Sequence, residues 1–278
     1  MKRFVDLHIH TNCSDGTFSP SEVLEVARHK ELTAFSIADH DTIRGYETAR
    51  DLVTKDDPEL VPGLELSVNS GNSDIHLLAY YFNPDHEPLK EVLNELCEFR
   101  NQRAGFIVKK LNEMGINITL DDVTMTAGNV AIGRPHIATA MHNKGEVASY
   151  QLAFDKYIGN GKPAFVPKKD FTPKQAISLI HNAGGITVLA HPVIEETFRH
   201  LEMLIELGLD GIEIYHPAHK QIHIDKFKHL AERFRLVMTG GSDFHGLDGK
   251  HGNIGSQHVP EELMMPLKQC AQQRKEKT

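Results

Sequence analysis

The 278-residue sequence has no tryptophan, three cysteines and an aromatic share of only 7%. Cys13, Cys97 and Cys270 are too few and too scattered for a disulfide framework or a cysteine-rich zinc knuckle, so a reducing, cytoplasmic compartment is the simple reading. Long apolar runs are missing too. None approaches the roughly 20 residues needed to cross a bilayer. The N-terminus reaches Asp6 and His8 where a secretory signal needs an apolar core, so no membrane association is expected. Positive charge is in deficit: Lys plus Arg number 30 against 38 Asp plus Glu, a formal net charge of −8. Such a chain lacks the broad basic surface that coats nucleic acid, and stable DNA binding is not expected. A phosphate gripped locally remains compatible. Hydrophobic residues at 40% and charged residues at 24% exclude a disordered chain.

Length alone leads one to expect about two domains of roughly 150 residues. Apolar runs at 3–9, 33–38, 60–68, 75–82, 186–190, 210–215 and 236–239 read as strands. Gly71-Asn72 suits a hairpin turn between the third and fourth. Helices start at Ser19 and Thr172, each followed by Pro at the first helical position and by Glu22 or Gln175 three residues after the cap. Further helices are expected over 42–53, 196–207, 218–233 and from 260 onward. The alternation predicts an α/β fold with a mostly parallel sheet and outer helices, and seven strands favour a closed or nearly closed barrel. Residues 85–163 break the rhythm. They contain no convincing strand, and helical spacing runs through 89–114, 120–126, 135–143 and 149–158. A crossover between parallel strands needs only about a dozen residues. The chain is therefore divided into a barrel domain, 1–84 and 164–278, and a small α-helical insertion, 85–163.

Histidine is what the sequence has in excess, with 18 residues. His8 and His10 lie two apart in the first strand and so point to one side. They end the strand, the position where β/α barrels place their chemistry. Asp15 follows in the next loop. Asp39-His40-Asp41 ends the second strand, Glu65 lies in the third, and His76 starts the fourth. His191-Pro192 ends the fifth, and Ser242-Asp243-Phe244-His245 follows the last. Nearly every strand thus sends imidazole or carboxylate to one rim. Burying that many ionisable groups is prohibitive unless something binds them, and divalent cations are the natural answer. Imidazole and carboxylate suit zinc, manganese or iron. Nine candidate ligands, at about three per ion with a bridging carboxylate, accommodate three divalent ions.

The ordered motifs Asp6-Leu7-His8-Ile9-His10, Ala38-Asp39-His40-Asp41, Gly63-Leu64-Glu65, the lone His76, Ala190-His191-Pro192 and Gly241-Ser242-Asp243-Phe244-His245 resemble the PHP (polymerase and histidinol phosphatase) superfamily. The resemblance implies a distorted seven-stranded β/α barrel, similar to a TIM barrel, around a trinuclear site. By that resemblance one metal takes His8, His10, Glu65 and Asp243. A second shares Glu65 and adds His76 and His191. A third takes Asp15, His40 and His245. The insertion carries 129–136, ending in Gly133-Arg134-Pro135-His136, and then Gly161-Lys162-Pro163-Ala164. These resemble stand-alone PHP phosphoesterases with a helical cap. That group includes nucleotide phosphatases acting on 3′,5′-bisphosphorylated nucleosides or AMP, and a relative that trims short RNA from its 5′ end.

The expected activity is metal-dependent hydrolysis of a phosphate ester of a small nucleotide or short RNA. Arg134 offers a planar fork for phosphate oxygens, with His136 as a second phosphate contact. Asp39 and Asp41 are candidates to orient an imidazole or to shuttle a proton, and His216 and His219 to protonate the leaving oxygen. Glu213 reads as a support for a ligand or as rim packing, and Lys162 and Lys168 as solvated lysines. Histidinol-phosphate phosphatase is the alternative enzyme reading, and a non-catalytic metal-binding regulatory module the alternative of another class.

Overall fold

Short runs rich in Val, Ile and Leu form strands because branched side chains fit a sheet covered on both faces. In the computed structural model, which describes residues 3–71, 73–127, 130–246 and 252–277, these are β1 (Phe4–Ile9), β2 (Ala34–Ile37), β3 (Glu59–Ser70), β4 (Ser73–Tyr80), β5 (Ile186–Leu189), β6 (Gly211–Tyr215) and β7 (Val237–Gly240). A two-residue β8 (Val259–Pro260) is added beside them. The order across the sheet is β7-β6-β5-β4-β3-β2-β1-β8. Beyond β7 the chain returns to β1: Phe244 bridges Ile9 in parallel, and the His10 N–H donates to the Phe244 carbonyl at 2.9 Å. The sheet is thereby nearly closed into a barrel. Gly241 permits the approach, because a Cβ there would stand 2.4 Å from the His8 nitrogen.

The sheet departs from the expected mostly parallel, seven-stranded form. It has an eighth short strand, and β4 runs antiparallel to both β3 and β5. The cause is the tight link at Gly71, held at φ +60°, since so short a connection can only return the chain antiparallel. Asn72, the other residue expected in that turn, lies outside the described residues. Reversal puts the start of β4, with Asp74 and His76, at the rim where the parallel strands end.

The helices are α1 (Pro20–His29), α2 (Arg44–Arg50), α3 (Glu87–Glu113), α4 (Leu120–Ala127), α5 (Arg134–Asn143), α6 (Tyr150–Ala153), α7 (Pro173–Asn182), α8 (Leu201–Glu206), α9 (Gln221–Phe234) and α10 (Met264–Lys275). Ser19 and Thr172 cap α1 and α7 as reciprocal boxes with Glu22 and Gln175. The helix expected over 196–207 is split, because Glu196 takes φ +53° and 3₁₀ geometry precedes α8. Helix α3 has 27 residues, about 40 Å at 1.5 Å each. Its first half packs Leu89, Leu93 and Leu96 against the outer barrel core. Its second half belongs to a separate core with Ile118, Val123, Ile137, Met141 and Ile158. This one helix therefore climbs the barrel wall and carries the inserted helices over the rim. Among the described residues no helix is long and apolar enough to cross a membrane.

Candidate metal centre

Glu65 is the hub. It is buried, and its two oxygens face different histidines. Oε1 lies 3.0 Å from both His76 Nδ1 and His191 Nε2. Oε2 lies 3.3 Å from His8 Nε2, 3.1 Å from His10 Nε2 and 3.2 Å from His40 Nδ1. Asp243 Oδ1 stands 3.3 Å from both His8 Nε2 and His10 Nε2. Asp15 meets His245 Nε2 at 3.3 Å and His40 Nε2 at 4.0 Å, with His10 Nδ1 at 3.9 Å. All nine residues expected to ligate metal converge at one rim. Among the described residues, three overlapping groups have ligand atoms close enough to share an ion: His8, His10, Glu65 and Asp243; His40, Glu65 and His76; and His10, Asp15, His40 and His245.

The donor set fits divalent ions. Two ligands each about 2.0–2.2 Å from one ion stand roughly 3–3.5 Å apart at tetrahedral to octahedral angles. Much of the cluster has that spacing. Buried His10 Nδ1, His40 Nδ1 and Asp15 Oδ1 have no hydrogen-bond partner. Tautomers agree as well. His8 Nδ1 donates to Glu213 Oε1 at 3.0 Å, and His245 Nδ1 donates to the Asp243 carbonyl at 2.8 Å. Each bond leaves the Nε2 lone pair facing the cluster, as a metal ligand requires.

Charge has the same signature. Burial opposes ionisation, yet the neighbouring histidines hold Glu65, Asp243 and Asp15 well below the usual carboxylate range. Burial pulls His10 down, but hydrogen bonds to Asp243 and Glu65 outweigh it and raise the ring to about 10. His8 is likewise raised well above its ordinary value by Glu213, Glu65 and Asp243. His40, for which burial dominates, falls to about 3. Without metal, the acids keep part of this cluster protonated. A divalent cation supplies that positive charge instead.

Residues 6–154 match the PHP domain family. The chain belongs to the PHP family. It is 32% identical over 250 residues to a 5′-3′ exoribonuclease of Haemophilus influenzae, covering 88% of this chain and 91% of that one. Identity is 31% over 247 residues to a 3′,5′-nucleoside bisphosphate phosphatase of Chromobacterium violaceum, covering 87% of each. A solved structure from Bifidobacterium adolescentis, assigned to the metal-dependent phosphoesterases, superposes with a TM-score of 0.87 at 28% identity, with 96% of each chain covered. This PHP chain is a metal-dependent phosphoester hydrolase.

Around the PHP centre lies a supporting layer. Glu213, fully buried, holds His8 through one oxygen and accepts the His191 N–H through the other at 2.7 Å. His216 Nδ1 accepts the Ala218 N–H at 3.1 Å, so Nε2 carries the proton and donates to Asp243 Oδ2 at 3.2 Å. Asp39 does not reach the cluster. It accepts from Thr11 N, Thr11 Oγ1 and Ser14 Oγ at 2.6–2.7 Å, which fixes the loop carrying Asp15. Asp41, at φ +53°, takes the Ser67 N–H at 2.8 Å and pairs with Arg100. His219 turns away, its Nδ1 donating to the Ile214 carbonyl at 2.8 Å and its ring against Phe227.

The insertion reaches the same cleft. Arg134 bonds Asn160 Oδ1 at 2.8 Å and stands 3.6 Å from Asp74 Oδ2. His136 accepts the Gly133 N–H at 3.0 Å through Nδ1 and lines a cavity together with Asp15. Four charged residues of the cleft were not anticipated there from sequence: Arg100, Arg103, Asp74 and Lys168. Lys168, expected to be solvated, instead contacts Asp74 at 2.6 Å inside the cleft. The arginines had left a signal. Along α3 the inward positions run Leu89, Leu93, Leu96, Arg100, Arg103, Ile107 and Leu111, so two cations interrupt an apolar stripe.

Proposed function

We propose that this chain hydrolyses phosphate monoesters of small nucleotides, 3′,5′-bisphosphonucleosides or AMP, and trims short 5′-phosphorylated RNA as a second mode. The observation that carries the reading is Glu65, whose two oxygens are shared between separate histidine sets in a nine-ligand cluster. We assign three divalent ions, of manganese, zinc or iron. His8, His10, Glu65 and Asp243 hold one. Glu65 with His76 and His191 holds the second, and Asp15, His40 and His245 the third. Bound divalent ions bring the pKa of water towards neutrality and offset charge on phosphate oxygens.

The chain's own residues do the rest. Arg134 presents a planar fork to the phosphate from the inserted helices. Glu213 fixes the His8 tautomer, and His216 clamps the outer oxygen of Asp243, which assigns His216 to positioning rather than to proton donation. Asp39 and Asp41 hold the two rim loops in place. His136 holds the first turn of α5 through the Gly133 N–H and faces the cleft from the insertion. His219 supports the turn after β6. Three free cysteines accord with a reducing cytoplasmic setting.

The test is metal analysis followed by phosphate release from AMP, 3′,5′-bisphosphoadenosine and histidinol phosphate, and mononucleotide release from 5′-phosphorylated trinucleotide RNA. Release from the nucleotides alone is the expected result. Release only from histidinol phosphate would favour that phosphatase, and bound metal without turnover on any ester would favour a regulatory module.

A further inference from the structure

We propose that the outermost of the three ions, the one assigned to Asp15, His40 and His245, is separable from the other two, and that buried Asp39 is the positioning residue that controls it. The inference rests on the metal assignment given above and deepens it, because it gives one ion of the centre a support of its own.

The nine ligands are not equally supported by the sheet. His8, Glu65 and His76 lie within β1, β3 and β4. His10 and His191 follow the ends of β1 and β5 by one and two residues. Asp15 lies six residues beyond β1 and His245 five beyond β7, the two ligands farthest along the chain from a strand. Exposure follows the same division. His8, His10, Glu65 and Asp243 are buried, whereas Asp15, His40 and His245 are each partly exposed. Residues 11–18, which carry Asp15, form neither strand nor helix. A ligand on such a loop is only as well placed as the contacts that offset the entropy of ordering it.

Those contacts converge on Asp39. One oxygen of its carboxylate accepts the Thr11 N–H at 2.7 Å and the Ser14 hydroxyl at 2.6 Å, and the other accepts the Thr11 hydroxyl at 2.7 Å. Thr11 extends the anchorage. Its hydroxyl accepts the Cys13 N–H at 3.1 Å, and its carbonyl accepts the N–H groups of Ser14 and Gly16, both at 3.0 Å. Both chain neighbours of Asp15 are thus tied to Thr11, and Thr11 to Asp39. At the far end of the loop the Thr17 N–H donates to the carbonyl of His245, a second ligand of the same ion, at 2.8 Å. Asp39 itself belongs to none of the ligand groups among the described residues. It has its seat because residue 45, in the first turn of α2, is glycine. A Cβ there would stand 2.0 Å from Asp39 Oδ2 and 2.8 Å from Thr11 Oγ1. The inner ligands lean on a different carboxylate, since Glu213 holds His8 and the His191 backbone. The centre therefore has two supports, Glu213 for the inner pair of ions and Asp39 for the outer one.

The test is calorimetric titration of the chelated protein with Mn²⁺, with bound metal counted in the same samples. Wild type should take three ions. Asp39→Ala should bind two of them as wild type does and the third about 10- to 100-fold more weakly, the usual worth of a residue that orients a metal ligand. Gly45→Ala, which keeps the carboxylate in the chain but displaces it from its seat, should do the same. Glu213→Gln should weaken the inner pair instead. A loss confined to one ion of three is a change that a merely structural role does not produce, because general loosening lowers all three affinities together. In turnover, the Mn²⁺ concentration for half-maximal phosphate release should rise about 10- to 100-fold in Asp39→Ala, and excess Mn²⁺ should restore kcat. Unchanged affinities in Asp39→Ala, or equal weakening of all three ions in either carboxylate variant, overturns the inference, as does a saturated wild type that holds only two ions. Should Asp39→Ala fail to fold, Ser14→Ala decides, since it removes one donor to the same carboxylate, and an unchanged third ion overturns the inference. Selective loss of the third ion in a protein that cleaves no phosphoester overturns the phosphoesterase reading and leaves the outer site standing.

Discussion

Glu65 concentrates the chemistry of the rim on one carboxylate, and Glu213 behind it does for orientation what Glu65 does for charge. Removing the Glu213 charge should leave the ligands present but loosely aimed. Glu213→Gln is therefore expected to weaken metal affinity about 10- to 100-fold, read by chelator competition. Acid should act on the same ligands. The His10 ring, raised to about 10 in the absence of metal by Asp243 and Glu65 against the pull of burial, must lose its proton to ligate. Lower pH favours the protonated ring, so metal leaves as pH falls. Below about 10, apparent affinity should drop about tenfold for each pH unit per proton displaced. Affinity that does not change between pH 6 and 8 would contradict this. The nine converging residues were legible in the sequence, because most sit in strands or at strand ends that can be read without tertiary information. Asp39 and Asp41 were not assignable in the same way. Both flank His40, and only the fold shows that one anchors Thr11 and Ser14 while the other meets Arg100.

Two elements decide whether the rim is usable. The first is the closure between β1 and the chain after β7. A methyl group at Gly241 would press on His8, 2.3 Å from its Cβ. Gly241→Ala should cost about 1–3 kcal/mol by overpacking and lower metal content together with stability. Full metal loading in a destabilised variant would separate closure from the site. The second is α3. Leu111 is fully buried in the inserted core, away from the barrel. Leu111→Ala should destabilise the insertion by about 2–5 kcal/mol and reduce turnover while metal content holds, which calorimetry and metal analysis would show. The length of α3 was readable from its periodicity. Its task was not, because whether Arg100 and Arg103 face solvent or a cleft depends on what packs above them. The reversal of β4 was half-visible in Gly71, but a short turn gives direction only once its two strands are known to pair.

At the scale of the molecule, a chain of net charge −8 assembles a locally cationic cleft beside a cluster of acids and imidazoles. That contrast suits small phosphorylated ligands and disfavours long polyanions, which the acidic remainder would repel. Turnover should accordingly fall as RNA substrates lengthen, and the fall should be shallower at high salt. In the function proposed above, nine rim residues act as one cage for divalent metal. The most direct measurement of this is phosphate release by chelated protein as divalent metal is added back, with bound metal counted in the same samples. Activity should be absent after chelation and return in step with bound metal, reaching its limit near three ions per chain, whereas Glu65→Gln should bind less and recover almost none. Full activity in a preparation devoid of transition metal would contradict the account.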